Sequence, residues 1–444
     1  MSDSTTTPRP LPRTPALSGV FETLAFFRDP EFATHRFRRY GDLWETRLLG
    51  QRTVFVRGAA AVEDLFAQGD GLEGWWPVSV RHLLGPLSLA NRQGPDHKAR
   101  RRVVGQLFTA AALRRYAPAI VALVDDLCRE LAACGEPVPL AGRLRRFAFA
   151  VIACSVLGLD AQERDGLFLD FEAWSHGLFS VPLALPGSPY ARAQQARRRL
   201  LARMGNVLLR AQEAAAAGQP TSTGGLDLLA GGLDEAGLPL SDEDVVDQLL
   251  LLLFAGYETT ASTLVCLLMS LLQHPAELAW LQEELDGLTW PPRAADAATA
   301  FDPTRAPRLD AVVKEVMRLI PPVGGFFRRT THPINLAGVA IPAARVVQVS
   351  IAATHRLGAP AEDLEAFRPQ RHLDAGGCGA LLLPYGGGER VCLGKSLAEL
   401  EIRLLAVGLL KQLQLRLEAD QDLGLTIIPT PSPRDGLRVK VSRR

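Results

Sequence analysis

A cysteine in a glycine-rich loop near the C-terminus offers the clearest chemistry in this sequence. The segment Tyr385–Gly394 reads YGGGERVCLG, with Arg390 two residues before Cys392, and a helix-like run from Lys395 to Leu413 follows. Glycines allow backbone N–H groups to approach a sulfur, and a helix N-terminus favours the ionised thiolate. The loop therefore suits a thiolate ligand to haem iron, the alternative being a glycine-rich turn with a buried, inert cysteine.

A second candidate is an acid beside a hydroxyl, in the middle of the apolar stretch Val245–Leu272. There Glu258 and Thr259 follow the small residues Ala255 and Gly256. A helical Thr can bond back to the carbonyl of the preceding turn, which bends or widens the helix. We expect such widening to make room for dioxygen above a flat cofactor, although a buried Thr is by itself more often part of a core. The stretch is long enough to span a membrane, but its charged and polar residues favour a helix through a soluble core.

Taken together, these two segments resemble the cytochrome P-450 family. The family's cysteine loop usually reads Phe-Gly-x-Gly-x-Arg-x-Cys-x-Gly, and here only the Phe is replaced, by Tyr385. The resemblance implies haem b as the cofactor, Cys392 as its iron ligand, and Glu258 and Thr259 as the pair that delivers protons during oxygen activation. It also implies cofactor contacts from further residues of the two segments, namely Ala255, Gly256, Tyr385, Gly386, Arg390 and Gly394.

An ion-pair motif fits the same family. Glu315 and Arg318 are three residues apart on a predicted helix, a spacing that by itself is common in solvated helices. The family's ExxR helix is joined by an Arg from a downstream Phe-x-Pro-Glu-Arg-Phe motif, which here reads Phe367-Arg-Pro-Gln-Arg371-His372. The resemblance implies that Glu315, Arg318 and Arg371 brace the cysteine loop. The Gln and His replacements leave the packing around Arg371 open.

Haem carries two propionates, which arginine suits because its guanidinium is planar and always charged. In the family a His and an Arg one helical turn apart contact a propionate, and His97 and Arg101 match this spacing. Arg390 is a further candidate, as is Arg328 or its neighbour Arg329. The alternative for the basic run around Arg101 is a solvated surface.

An elongated apolar cavity is predicted from aromatic and apolar segments that lack helical regularity. The candidate pocket residues are Trp75, Trp76, Phe179, Val323, Phe326 and Pro431, each of which is individually more often a core residue. Several of these segments resemble cyanobacterial relatives of animal retinoic acid hydroxylases. That resemblance implies a retinoid or a similar isoprenoid acid as the substrate.

The composition is that of an ordinary globular protein, with 47% hydrophobic and 22% charged residues. The formal net charge of +1 gives no sign of a nucleic-acid-binding protein. The six cysteines form no CxxC pair and the eight histidines no zinc spacing, which favours a reducing compartment and no structural zinc. Because residues 1–18 contain no apolar signal core or membrane anchor, we expect a cytoplasmic protein. We also expect a monomer.

The sequence contains no dinucleotide fingerprint, so electrons must come from NAD(P)H through separate proteins. The resemblance implies ferredoxin or flavodoxin with a reductase. In this family the face nearest the cysteine receives an acidic electron-transfer protein, and Arg100, Arg102 and Lys395 are predicted to line that face.

Hydrophobic periodicity predicts a mainly α protein with a small β portion at both ends. Helices are predicted near residues 59–67, 95–112, 117–134, 140–157, 160–179, 190–217, 241–273, 275–286 and 308–319. A hairpin is predicted over residues 40–57, strands at 335–342 and 346–351, two strands within 425–441, and loops at 219–225 and 288–307. The family resemblance implies one α-rich, prism-shaped domain over residues 19–444, after a flexible segment 1–18.

The sequence thus predicts a haem-thiolate monooxygenase that inserts one oxygen atom of O2 into a C–H bond of an apolar substrate. A peroxide-dependent peroxygenase or a hydroperoxide isomerase would share the cysteine loop, but such family members typically lack the acid–alcohol pair. A non-enzymatic haem protein, which senses gas or carries haem, would need neither that pair nor a large apolar pocket.

Overall fold

The computed structural model describes residues 10–15, 18–29, 31–219, 225–357, 364–374 and 379–444. The chain forms two compact units. The first unit comprises Met1–Trp76, Arg318–Ala366 and Gly376–Cys392, and the second comprises Pro77–Met317, Phe367–Ala375 and Leu393–Arg444. Of the predicted flexible segment 1–18 only residues 10–15 and 18 are described, and most of the predicted loop 219–225 lies outside the described residues.

Helices dominate the described part of the chain. In order they are α1 (Gly19–Arg28), α2 (Phe32–Tyr40), α3 (Ala59–Ala67), α4 (Val78–Leu84), α5 (Gly94–Gly105), α6 (Ala110–Ala133), α7 (Leu140–Ser155), α8 (Ala161–Ser175), α9 (Pro189–Ala216), α10 (Gly225–Ala230), α11 (Asp242–Gln273), α12 (Pro275–Asp286), α13 (Pro307–Leu319), α14 (Ile351–His355) and α15 (Lys395–Gln412). The strands are β1 (Leu43–Leu48), β2 (Gln51–Val56), β3 (Leu72–Gly74), β4 (Val138–Pro139), β5 (Gly325–Thr330), β6 (Ile334–Leu336), β7 (Val339–Ile341), β8 (Val346–Ser350), β9 (Leu413–Leu417), β10 (Leu425–Thr426), β11 (Ser432–Pro433) and β12 (Arg438–Arg443).

A five-stranded sheet with the order β1-β2-β8-β5-β3 organises the first unit. The predicted hairpin is confirmed: β1 and β2 pair antiparallel from Leu43↔Val56 to Leu48↔Gln51. Gly50 sits in the connecting turn with a φ of 76°, a conformation that glycine adopts without strain. A buried apolar cluster that includes Val54, Val347 and Leu65 forms the core of this unit.

The long helix α11 crosses the second unit. Ser241 caps its start, since its hydroxyl accepts a hydrogen bond from the Asp244 N–H, and three acidic residues follow in the first turn, where the helix dipole favours them. The helix is long and apolar enough to cross a membrane, but 72% of its most apolar window is buried inside the protein. The observed burial agrees with the predicted core helix.

Several boundaries differ from the sequence predictions, and the single strand predicted at 335–342 is instead the antiparallel pair β6 and β7. The break expected before Pro118 lies instead at Thr109, whose hydroxyl accepts from Ala112 N–H, and α6 continues through Pro118. Pro118 removes one backbone hydrogen bond from the helix. The Thr109 cap and the burial of Ala117 and Ile120 compensate for that loss. The predicted pair of C-terminal strands is only partly right: β10 pairs with β11, while β12 leaves that hairpin and pairs with β9 and β4.

Candidate active site

The cysteine loop follows the buried residue Leu383 and belongs to the first unit as far as Cys392. Gly386 and Gly388 adopt φ angles of 69° and 65°, and a Cβ on Gly387 would come within 2.4 Å of the Phe66 ring. The loop therefore needs its glycines for both its conformation and its packing. At its end the Cys392 N–H donates to the Tyr385 carbonyl over 3.0 Å, and the Cys392 side chain is exposed.

Two arginines lie close together in the same unit. Arg328 is on β5, where its guanidinium lies 4.6 Å from the centre of the Phe326 ring and donates to the Phe327 carbonyl over 2.8 Å. Burial, and secondarily the charge of Arg390, lowers the pKa of Arg328 to about 10. A partly buried cation with a second cation beside it is suited to an anionic group such as a carboxylate. Arg329, by contrast, is exposed.

The acid–alcohol pair lies on α11 in the second unit. The Thr259 hydroxyl donates to the Ala255 carbonyl over 2.8 Å, as the sequence predicts. The helix nevertheless continues unbroken from Asp242 to Gln273, so the expected widening does not interrupt it. A Cβ on Gly256 would come within 2.6 Å of Ile152 on α7. The missing side chain at this position thus allows two helices to approach.

Glu258 is a buried carboxyl, only 5% exposed. The Thr430 hydroxyl donates to its Oε2 atom over 3.2 Å. Burial raises the pKa of Glu258, and the charge of Arg145 and the hydrogen bond from Thr430 offset part of this increase. The carboxyl therefore carries a proton over a higher pH range than a solvated glutamate.

In the second unit, the residues predicted to contact a haem propionate lie on α5. His97 is buried and Arg101 is partly buried, one helical turn apart. Arg100 is 2% exposed and pairs with Asp244 at 2.7 Å, so its predicted place on a partner-docking surface is wrong. Burial on the α11 side of the helix explains the error. Arg102 and Lys395 are exposed, as that prediction requires.

The three predicted bracing residues are buried. Arg371 donates through Nε to Glu315 Oε1 over 2.9 Å, and the Arg368 N–H reaches the same oxygen over 3.0 Å. Arg318 donates to the carbonyls of Leu364 and Ala366 at 2.7 and 3.3 Å. These contacts tie the helix α13 to the backbone of the segments that follow it.

His372, which replaces the family's usual Phe, has a polar role. Its Nε2 lies 2.8 Å from Glu315 Oε2, opposite the oxygen that Arg371 binds. The sequence analysis noted the replacement but did not predict this hydrogen bond. The replacement therefore adds a hydrogen bond to the Glu315 carboxyl.

The predicted pocket residues are distributed over both units. In the first, Trp75 packs edge-on against Phe327, Phe326 stacks on Phe66, Trp76 is half-buried, and Val323 is 40% exposed. In the second, Phe179 is exposed and its ring lies 6.4 Å from that of Phe254, one turn before Glu258 on α11. Pro431 is buried and its carbonyl accepts from the Ser262 hydroxyl over 2.7 Å. The sequence analysis did not identify Phe254, and it did not predict the hydrogen bond between Thr430 and Glu258.

Comparisons with known proteins agree on the family. The family model for cytochrome P-450 matches residues 12–431. Cytochrome P-450 120 from Synechocystis is 35% identical over 95% of this chain and 94% of its own length. Cytochrome P-450 26B1 from Danio rerio is 34% identical, over 94% of this chain and 83% of its own.

A solved structure also matches. The retinoic acid-bound cyanobacterial CYP120A1 superposes with a TM-score of 0.90 at 33% identity, over 99% of this chain and 100% of that one. This confirms the predicted mainly α fold with a small β portion. Family members are oxidoreductases that hold haem through a cysteine thiolate and use O2, an apolar substrate and redox partners. The chain belongs to the cytochrome P-450 family of haem-thiolate monooxygenases.

Proposed function

We propose that this enzyme hydroxylates a retinoid or a related isoprenoid acid, and that Cys392 is its iron ligand. One oxygen atom of O2 enters a C–H bond of the substrate and the other leaves as water, which requires two electrons and two protons. The observation that carries the monooxygenase assignment is the buried Glu258 beside Thr259 on α11. The substrate class rests on the similarity to the retinoic acid-bound CYP120A1 and to the cytochrome P-450 26B1 proteins.

The residues present fit a haem group. Cys392 is an exposed cysteine at the end of the glycine-rich loop, and the partly buried Arg328 beside Arg390 is suited to a propionate. His97 and Arg101 are the candidates for propionate contacts in the second unit. When bound, haem supplies the activation of O2 and the transfer of one oxygen atom to the substrate.

The protein's own contribution to the chemistry is proton delivery. Burial raises the pKa of Glu258, so its carboxyl keeps a proton to a higher pH than a solvated glutamate does. The Thr259 hydroxyl hydrogen is committed to the Ala255 carbonyl, so the hydroxyl oxygen remains able to accept a hydrogen bond. Glu258 thus acts as the general acid, and Thr259 positions the group that accepts the proton.

Apolar side chains provide for substrate binding. The proposed substrate contacts are Trp75, Trp76, Val323 and Phe326 in the first unit and Phe179, Phe254 and Pro431 in the second. Aromatic and aliphatic side chains of this kind bind a polyene through its buried area. The carboxylate of an isoprenoid acid requires at most a few polar contacts.

Electrons reach this enzyme from NAD(P)H through a separate ferredoxin or flavodoxin with its reductase. The exposed cations Arg102 and Lys395 support a docking face for an acidic partner, from which the buried Arg100 is excluded. We further propose that residues 19–444 act as one domain and that the enzyme is cytoplasmic and monomeric.

A binding titration tests the substrate class. The ferric protein is titrated with all-trans-retinoic acid and, as the comparison, with a long-chain fatty acid, while the Soret band is recorded. We expect a low-spin to high-spin shift with the retinoid alone. A shift with the fatty acid alone would reject the retinoid, and turnover with hydrogen peroxide but none with a redox chain would favour a peroxygenase.

A further inference from the structure

A buried histidine contacts the backbone at the start of the cysteine loop. His355, the last residue of α14, has no exposed surface. Its Nε2 atom lies 2.6 Å from the Leu383 N–H. Because the amide is the donor, Nε2 must be the unprotonated, accepting nitrogen of the ring. No step of the proposed reaction uses this residue.

Hydrogen bonds connect this contact to Cys392. The Leu383 carbonyl accepts from the Gly386 N–H over 2.9 Å, and the Tyr385 carbonyl accepts from the Cys392 N–H over 3.0 Å. The Tyr385–Gly386 peptide group takes part in both bonds. Hydrogen bonds in series polarise one another and hold their groups in register. The backbone of Cys392 is thereby linked, through the loop, to the imidazole of His355.

The helix α14 makes further contacts that do not involve the imidazole. The neighbouring Thr354 hydroxyl accepts from Gly58 N–H over 3.2 Å and donates to the Ser350 carbonyl over 2.8 Å. Ile351, at the start of α14, and Leu383 both belong to the buried apolar cluster around Val347. The short helix and the loop entrance are therefore packed against one core.

We propose that His355 is a positioning residue for the iron ligand. By accepting the Leu383 N–H it fixes the entrance of the loop, and the bonds beyond that point hold Cys392 where its sulfur remains a thiolate ligand. The inference rests on the proposed role of Cys392. It assigns to His355 no contact with haem or substrate.

Substitutions at position 355 separate the acceptor from the ring. His355→Leu removes the acceptor, His355→Asn has an amide too short to reach Leu383, and His355→Gln places an amide oxygen near the position of Nε2. Thr354→Val is the matched control, because it removes hydrogen bonds of α14 without touching the loop. The readouts are the Soret position of the ferrous–CO complex, which distinguishes thiolate from thiol ligation, and deuterium exchange at the Leu383 amide.

We expect His355→Leu and His355→Asn to convert from thiolate to thiol ligation about tenfold faster in mild denaturant, the effect of one lost buried hydrogen bond. Their Leu383 amide should exchange faster, and His355→Gln should restore both values. Thr354→Val should lower the unfolding midpoint but leave the rate of conversion from thiolate to thiol ligation unchanged. If His355→Leu does not accumulate as folded protein, the Asn and Gln variants make the same comparison.

The outcomes distinguish this inference from the proposed function. Thiolate ligation in the wild type with the same conversion rate in His355→Asn and His355→Gln would overturn the role of His355 alone. Equal conversion in Thr354→Val and His355→Asn would also overturn it, since the effect would then be one of general stability. A wild-type protein without thiolate ligation would overturn the ligand assignment and the inference with it.

Discussion

Among single residues, Glu258 has the environment that most directly determines its chemistry. Its carboxyl is buried on α11, the Thr430 hydroxyl bonds to it, and Arg145 supplies a nearby positive charge. Burial raises its pKa, while the bond and the charge keep the ionised form accessible. A group that must both give up a proton and regain it benefits from such a balance.

Substitution of the pair should uncouple electron use from product formation. We expect Glu258→Gln and Thr259→Ala to bind haem and substrate normally but to form product about 100-fold more slowly, the lower end of what one proton-transfer group contributes, and to release the unused electrons as peroxide. In the wild type, coupling should fall as the pH rises through the elevated pKa of Glu258, because the acid then loses its proton. Peroxide and product are measured together over a pH series.

Thr263→Ala provides the control for this experiment. Its hydroxyl bonds back to the Thr259 carbonyl over 2.9 Å, so it is a threonine of the same kind one turn further along α11. Its substitution should leave the coupling unchanged. Wild-type coupling in both Glu258→Gln and Thr259→Ala would show that these two residues do not deliver the proton.

At the scale of secondary-structure elements, the contact of α7 with α11 positions the acid–alcohol pair. Gly256 lies directly against Ile152, closer than any side chain at this position would allow. Core packing at such contacts tolerates added volume poorly. The position of α11 therefore depends on a glycine within the very segment that carries Glu258 and Thr259.

A single added methyl group tests this packing. Gly256→Ala should lower the free energy of unfolding by about 1–3 kcal/mol through overpacking, despite the better helix propensity of alanine. Adding Ile152→Ala should recover part of that loss, which urea unfolding of the double-mutant cycle would measure. Gly205→Ala on α9 is the control, because a Cβ there meets no atom within 4 Å and should be stabilising. Equal effects at the two glycines would contradict the packing argument.

The long elements could be predicted from the sequence because their signals are local. The start of α11 depends on the Ser241 cap and the acids that follow it, and its length depends on an apolar run. The short helices α1, α2, α4, α10 and α14 were not predicted, since a few helical turns give little periodicity. The course of α6 through Pro118 depends on packing against the core, which no local rule describes.

In the candidate site, too, local motifs could be predicted from the sequence and contacts between distant residues could not. The cysteine loop and the acid–alcohol pair are contiguous motifs and were visible in the sequence. The hydrogen bonds of Thr430, His372 and His355 were not predicted because their partners, Glu258, Glu315 and Leu383, are distant in the chain; the first pair is separated by 172 positions. Only the folded chain brings such residues together.

At the scale of the whole molecule, buried acids determine how stability depends on pH. The formal charges nearly cancel, with 49 basic and 48 acidic residues. Glu401 on α15 is 1% exposed, and its Oε1 has no hydrogen-bond partner in the described part of the chain. Burial raises its pKa well above the usual value. Since the folded state favours the protonated acid, its contribution to stability is present at low pH and is lost as the pH rises through the raised pKa.

Glu401→Gln should therefore stabilise the protein increasingly as the pH rises. We expect little change near pH 4, where the unfolded glutamate is also protonated, and a gain that grows steadily as the pH rises above that point. Thermal unfolding at a series of pH values measures it. Glu399→Gln on the same helix is the control, since Glu399 is partly exposed beside Arg403 and its removal should change little. A constant offset at all pH values would refute the titration of Glu401.

The bond between His372 and Glu315 has a consequence for protein engineering. Consensus design would restore the aromatic residue that the family usually carries at position 372, as a substitution expected to be neutral or stabilising. Here it would delete the imidazole that now binds Glu315 Oε2. A library of variants of this protein should therefore keep position 372 fixed or vary it together with Glu315, because the effect of a substitution at one position depends on the residue at the other.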